Sequence, residues 1–330
     1  MAGEPPHLSR RVPPVSPLQK HLDRYAWTTH AYIMSLFMDC PAAPALALHC
    51  PNATAKEAAA AAVRRGDIVL HALPHNPQLE LMDAGLLAAS VEMSQAVATA
   101  LGQPRPRVAS VRDVTGVTRA AVPVLAAAGV EAISIGANSL SAPADLPRAF
   151  IWRDEASDSE IFGLYHGLGY GGITKGDCAT LNNGDSGGSS PSRAGLDLVL
   201  AHNGTAVAYA WNEDNTGPHT PAAARANLAT LRQEFPNATV VCAGLDAALP
   251  ALRAARAAGT LPVVTKEVGD SWIWGVPSDP WKLSAFRCLG RLRNASSSTP
   301  AAQTPEWREF SRCVNTSDNF ATRRSSHHPL

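Results

Sequence analysis

The sequence predicts an α/β fold with a mostly parallel sheet and crossover helices. Three observations carry that prediction. Strand-like and helix-like segments alternate along the chain. The strand-like runs are continuously apolar rather than alternating, which fits a sheet covered on both faces. Most of these runs are followed at once by a titratable or amide side chain, as in parallel α/β proteins whose ligands bind beyond the carboxyl ends of the strands.

The elements follow in order. The first strand is read in "DRYAWTTH" (23–30). "NATAKEAAAAAVRRG" is a helix, with Thr54 as N-cap, Glu57 completing a capping box and Gly66 as the stop. "DIVLHA" (67–72) is a buried strand. "LMDAGLLAASVEMSQAVATALG" (81–102) is a helix closed by Gly102. "RVASV" (107–111) is a strand, "TRAAVPVLAAAG" (118–129) a helix and "EAISIG" (131–136) a strand. Further strands are expected at 197–202, 206–211, 239–243 and 262–266, and helices at 220–234, 246–258 and 280–293. Residues 1–19 read as a flexible N-terminal segment, and 20–293 as one domain carrying a Gly/Ser-rich surface loop at 182–193. Residues 294–330 read as a linker and a largely disordered tail.

Composition narrows the function classes. The chain of 330 residues is 45% hydrophobic and 17% charged, so it can bury a sizeable core. Its formal net charge is zero, which gives no electrostatic case for nucleic acid or an anionic membrane as partner. No apolar run reaches membrane-spanning length. The stretch "MAGEPPHLSRRVPPVSP" contains no apolar segment of the signal-peptide kind. Five Asn-x-Ser/Thr triplets, starting at Asn52, Asn203, Asn237, Asn294 and Asn315, point toward the secretory pathway; the compartment stays open. None of the six cysteines is spaced as CxxC, which argues against a structural zinc finger. Cys40 and Cys50 flank "CPAAPALALHCP" and can bridge, but buried free thiols are the favoured reading.

The strand-end side chains suggest one polar pocket. His30 follows the first strand; His71, His75 and Asn76 follow the second; Arg112 and Asp113 follow "RVASV". Asn138, then Glu213, Asp214 and Asn215, then Glu267 and Asp270, follow later strands. Trp152, Tyr165, Tyr170, Trp211, Trp272 and Trp274 crowd the same edges. Carboxylates among aromatic rings suit a sugar cleft, where rings stack on pyranose faces and two carboxylates act on the glycosidic bond. Core packing is the competing use of each tryptophan. Asp113 can cap the next helix, although Thr115 or Thr118 is the more natural cap. Asp214 precedes "NTGP", a turn sequence that an Asx turn explains equally well. His71 and His75 flank Pro74, so they are not a helical metal-binding pair.

Five stretches in order, "YAWTTH", "GDIVLHALPHN", "RDVTGVTRAAVPVLAAAGVEAISIGAN", "FPNATVV" and "EVGDSWIWGVPSDPWK", resemble uncharacterised proteins related to the N-terminal catalytic domain of glycoside hydrolase family 38, the α-mannosidases. The resemblance covers roughly residues 20–290. It implies a seven-stranded β/α barrel of the glycoside hydrolase/deacetylase type, here without its first strand, and a retaining enzyme with zinc in its sugar site. On this resemblance Asp113 is nucleophile and zinc ligand, and Asp214 is the acid/base. His71, His75, Asn76, Arg112, Asp270, Trp272 and Trp274 line the substrate site. A carbohydrate-binding pseudoenzyme and a metal-dependent deacetylase are the alternatives on the same fold. The chain departs from the family pattern in three places. Val117 stands where a histidine is usual. "HLD" (21–23) precedes the first strand rather than lying on one, and "EFSR" (309–312) runs into sequence without the family's later histidine segment. The zinc ligand set is therefore expected to be incomplete, in a chain shortened at both ends.

Overall fold

The computed structural model describes residues 25–41, 48–113, 117–137, 144–166, 198–202, 205–208, 220–269 and 279–316. Strands β1 (Trp27–Thr29) and β2 (Ile68–Leu70) pair in parallel. A five-stranded sheet has the order β3 (Val108–Asp113), β4 (Ala132–Ala137), β6 (Ser159–His166), β5 (Ala149–Asp154), β9 (Val263–Val264). Strands β3, β4 and β6 are parallel, whereas β5 runs antiparallel to β6 and parallel to β9. A separate hairpin joins β7 (Leu198–His202) and β8 (Thr205–Ala208).

The β1–β2 pair and the five-stranded sheet meet at β2 and β3, where side-chain amides stand in for a strand ladder. Gln103 accepts from the Leu70 amide and donates to the Leu70 carbonyl, both at 3.0 Å. Asn76 does the same to Arg112, accepting from its amide at 2.7 Å and donating to its carbonyl. One backbone bond, Ala72 N–H to the Val108 carbonyl at 2.9 Å, lies between these two clamps. Splayed strands leave backbone groups that must be satisfied, and two amides of matching donor–acceptor geometry satisfy them.

The helices have legible causes. Helix α1 (Ala31–Asp39) ends at Cys40, which forms a disulfide with Cys50 where free thiols were the favoured reading. Helix α2 (Ala53–Arg65) is capped by Asn52, whose side chain accepts from the Ala55 amide at 2.8 Å, so the cap lies two residues before the expected Thr54. Gly66 ends α2 in the left-handed region as expected, with φ 75°. Helix α3 (Ala84–Ala100) starts on Asp83, which accepts from the Leu86 amide at 2.8 Å. Helix α4 (Ala121–Ala127) follows β3, and α5 (Pro221–Glu234) and α6 (Leu249–Ala257) come later.

The larger sheet is buried on both faces. One core gathers Val91, Val111, Val117, Leu125, Ile133, Ile135, Phe150 and Trp152. The other gathers Val108, Ile151, Phe162, Leu164, Leu249 and Leu252. Val117, at the position where a histidine was the family pattern, is 1% exposed in the first core. Asp246 ties α6 to the sheet by accepting from the amides of Arg107 and Val108.

Several regions differ from the sequence reading, helix α1 among them, which was not anticipated. Strands β5 and β6 were not anticipated, because "AFIWRD" and "SEIFGLYH" lie outside the strand–helix alternation. Residues 239–243 are irregular, although Cys242 Sγ contacts the Ala26 backbone beside β1. Helix α7 (Pro280–Ser297) continues past Arg293, and α8 (Pro305–Thr316) is folded where a linker and tail were expected. Its Phe310 and Val314 pack with Phe286, Leu81 and Leu86. Ser311, within "EFSR", accepts from buried Arg293 at 2.6 Å. No described helix is long and apolar enough to cross a membrane.

Candidate functional site

The carboxyl ends of β1, β2, β3 and β6 carry His30, His71, Arg112 with Asp113, and His166. Register places Arg112, Gly136 and His166 in one row across β3, β4 and β6. In-register residues of a parallel sheet share a face, so the row is set by the same pairing that builds the core.

Asp113 ends β3 with φ 71°, one of three non-glycine residues at positive φ among the described residues. That region is uncommon for side-chain-bearing residues, though aspartate tolerates it better than most. Such conformations persist where the surroundings hold them and concentrate at functional sites. Here the holding element is Asn76, clamped on both backbone groups of the preceding residue. The Arg112 side chain turns inward, 7% exposed, and donates to Ser134 Oγ at 2.6 Å.

His71 and His75 are buried, at 4% and 6% exposed, with His30 half-buried beside them. His71 Nε2 lies 2.9 Å from His30 Nδ1, with the rings edge to face. Ser94 of α3 donates to the His71 carbonyl at 2.5 Å and fixes its backbone. Burial, reinforced by His75, lowers the His30 pKa from 6.5 to about 4. Burial also holds His71 well below the ordinary range, with His30, His75 and Arg112 adding to the effect. His166 is lowered by burial and then by the charges of Arg112 and Arg148. Charged imidazolium is unfavourable in each position because desolvation penalises it.

Of the residues expected at the site, His71, His75, Asn76, Arg112 and Asp113 cluster at this edge. Asp214, Asp270, Trp272 and Trp274 lie outside the described residues, as do Asn138, Tyr170, Trp211, Glu213 and Asn215 and the segments 1–24, 182–193 and 317–330. Two expected aromatics belong to the core. Trp152 is fully buried and donates from Nε1 to the Lys266 carbonyl at 3.0 Å. Tyr165 is 5% exposed and accepts from the Ala144 amide. Glu267 accepts from the Arg119 amide at 2.6 Å, at the entrance to α4. His166 was missed because β6 was missed; its signal is the apolar run "IFGLY" that it terminates.

Among the described residues, no group of three or more His, Cys, Asp or Glu side chains is arranged to hold a metal ion. The donor chemistry agrees. His71 has both ring nitrogens in protein contacts, Nε2 with His30 and Nδ1 with the Leu73 amide at 3.3 Å. A cavity of about 210 Å³ lies at the opposite edge of the sheet, beside Glu131, Glu160 and Arg256. Glu160 is already paired there with Arg153 and Arg256, so that cavity does not compete with the histidine edge.

No family model matches the sequence, and no curated protein matches it. A solved structure does match: an alpha-mannosidase from Enterococcus faecalis V583 superposes with a TM-score of 0.53 at 12% identity. The two are similar in fold. The match covers 82% of this chain and 35% of that enzyme, so the likeness concerns about a third of the larger protein. It supports a distant relationship of architecture only.

Proposed function

We propose that this chain is a glycoside hydrolase-like protein of the α-mannosidase type, working at the carboxyl ends of β1, β2, β3 and β6. The observation that carries the proposal is Asp113: a carboxylate at positive φ beyond a parallel strand, braced by Asn76, in a fold similar to that of an alpha-mannosidase. On this reading the strands belong to a seven-stranded β/α barrel. Asp113 is the nucleophile of a retaining mechanism, and Asp214 the acid/base. The two carboxyl groups of a retaining pair stand roughly 5–5.5 Å apart. Arg112, His71, His75, Asn76 and Asp270 shape the pocket, and Trp272 and Trp274 supply stacking surface. Zinc belongs to the reading through Asp113; the described residues contribute no further ligand arranged for it. The Cys40–Cys50 disulfide and the Asn-x-Ser/Thr triplets fit an oxidising compartment.

Within this reading the residues divide the work. Asn76 and Ser134 hold Arg112 and thereby aim Asp113. His30 and His71, kept neutral by burial, offer hydrogen bonds without adding a competing cation beside the reacting carboxylate. A second reading, carbohydrate binding without turnover, is favoured by the engagement of His30 and His71 with one another instead of as metal ligands. Hydrolysis of an aryl α-mannoside separates the two. The enzyme reading expects turnover that Asp113→Asn lowers by at least about a thousandfold while circular dichroism stays unchanged. Turnover retained in Asp113→Asn removes Asp113 from the role, and binding without turnover in the parent protein selects the second reading.

A further inference from the structure

The His30–His71 pair has a determined proton arrangement. The Leu73 backbone N–H can only donate, and it points at His71 Nδ1 at 3.3 Å. A nitrogen that accepts carries no proton, so neutral His71 has its proton on Nε2. That Nε2 lies 2.9 Å from His30 Nδ1. His71 therefore donates to His30, and the His30 proton sits on Nε2, the one ring nitrogen of the pair left to face away from it.

The position of His30 points the same way. It is the N-cap of α1, yet its side chain makes no capping bond. N-caps favour Ser, Thr, Asp and Asn because those side chains satisfy the free amides of the first turn. Histidine at this position gives up that contribution and places an imidazole against His71 instead. The loop that carries His71 is fastened to α1 by the Tyr32 amide, which donates to the Pro74 carbonyl at 2.8 Å. His71 is buried, while His30 is half-buried, so the pair has an inner, fixed end and an outer end.

We infer that His30 is a ligand-binding residue: the outer end of a two-histidine relay whose tautomers are set by the Leu73 amide, presenting Nε2–H as a neutral donor to a hydroxyl oxygen of a sugar. The ligand class rests on the glycosidase-type reading above; the relay does not. A neutral donor suits an uncharged polyol, whereas an imidazolium would favour an anion. Burial, which lowers both pKa values, keeps the pair neutral.

Nitrogen-15 NMR of the full chain at about pH 6, near the ordinary histidine pKa, reads the relay directly. The expected result is that His30 and His71 are both neutral and both protonated on Nε2. His30 as the Nδ1–H tautomer, or either ring doubly protonated, overturns the inference. Titration with methyl α-D-mannopyranoside then tests the outer end. The His30 Nε2 resonance is expected to shift on binding, and His30→Phe to weaken binding roughly three- to tenfold, the loss of one hydrogen bond. His30→Gln, which keeps an amide donor, is expected to recover part of that loss. A mannoside that binds without moving the His30 signal overturns the ligand role, because a purely structural pair would behave that way. A mannoside that does not bind at all sinks the α-mannosidase-type reading and the His30 ligand role with it; the tautomer result still decides the relay.

Discussion

The most informative residue is Asn76, because it acts on Asp113 through the backbone. The oxygen and nitrogen of its side-chain amide complete the hydrogen bonding of Arg112 where β2 and β3 part. Asn76→Ala leaves an amide and a carbonyl without that partner and is expected to cost roughly 1–3 kcal/mol. Urea unfolding measures this, and any glycosidase activity should fall as well because Asp113 loses its brace. The histidines give a second residue-scale prediction. His30 has a folded pKa of about 4 against an ordinary 6.5. Between these values the unfolded chain binds a proton that the folded chain refuses, so stability falls as pH drops through that window. His30 alone contributes at most about 3 kcal/mol to that fall, and His71 and His166 act in the same direction. Thermal unfolding followed from neutral pH downward should show a falling midpoint; a flat profile would mean that the imidazoles are solvated. Asp113, Arg112, His71 and His75 were legible as strand-end residues. The tautomer chain was not, since it depends on the direction of the Leu73 amide.

At the scale of elements, the parallel strands announced themselves as apolar runs ended by polar side chains. The β5–β6 pair did not. Gly163 sits opposite Phe150 in its middle, and a Cβ there would come 2.3 Å from the Phe150 ring. The glycine breaks the pattern of a strand in sequence, yet it provides the space that the fully buried Phe150 occupies. Gly163→Ala is therefore expected to destabilise the protein by about 2 kcal/mol or more, as over-packing does. Phe150→Ala should cost about 3–5 kcal/mol. The double variant should lose less than the sum, because removing the ring makes room for the methyl group. Chemical denaturation of the three variants checks this coupling, and additive losses would contradict it. Helix α8 was hidden for another reason. Trp307, Phe310 and Val314 recur at helical spacing, but the Ser/Thr/Pro-rich stretch before them and the polar stretch after them read as linker and tail. Packing against Phe286 and Leu86, along with the Arg293–Ser311 bond, settles them as structure.

At the scale of the molecule, the chain spans about a third of an enzyme whose fold it shares at low identity. Alternation of strands and helices, with both sheet faces buried, was visible in the sequence because crossover connections impose it. The antiparallel placement of β5 was not, because strand direction follows from tertiary pairing and leaves no local pattern. The central claim is that the histidine edge is a glycosidase site with Asp113 as its nucleophile. Trapping tests it most directly. A fluorinated mannosyl fluoride offers the nucleophile a good leaving group: the carboxylate displaces fluoride and keeps the sugar as a slowly hydrolysed ester. Peptide mass spectrometry after such treatment is predicted to find the mannosyl adduct on Asp113. An adduct on another carboxylate, or mannoside hydrolysis with no adduct on the Asp113 peptide, would contradict the claim.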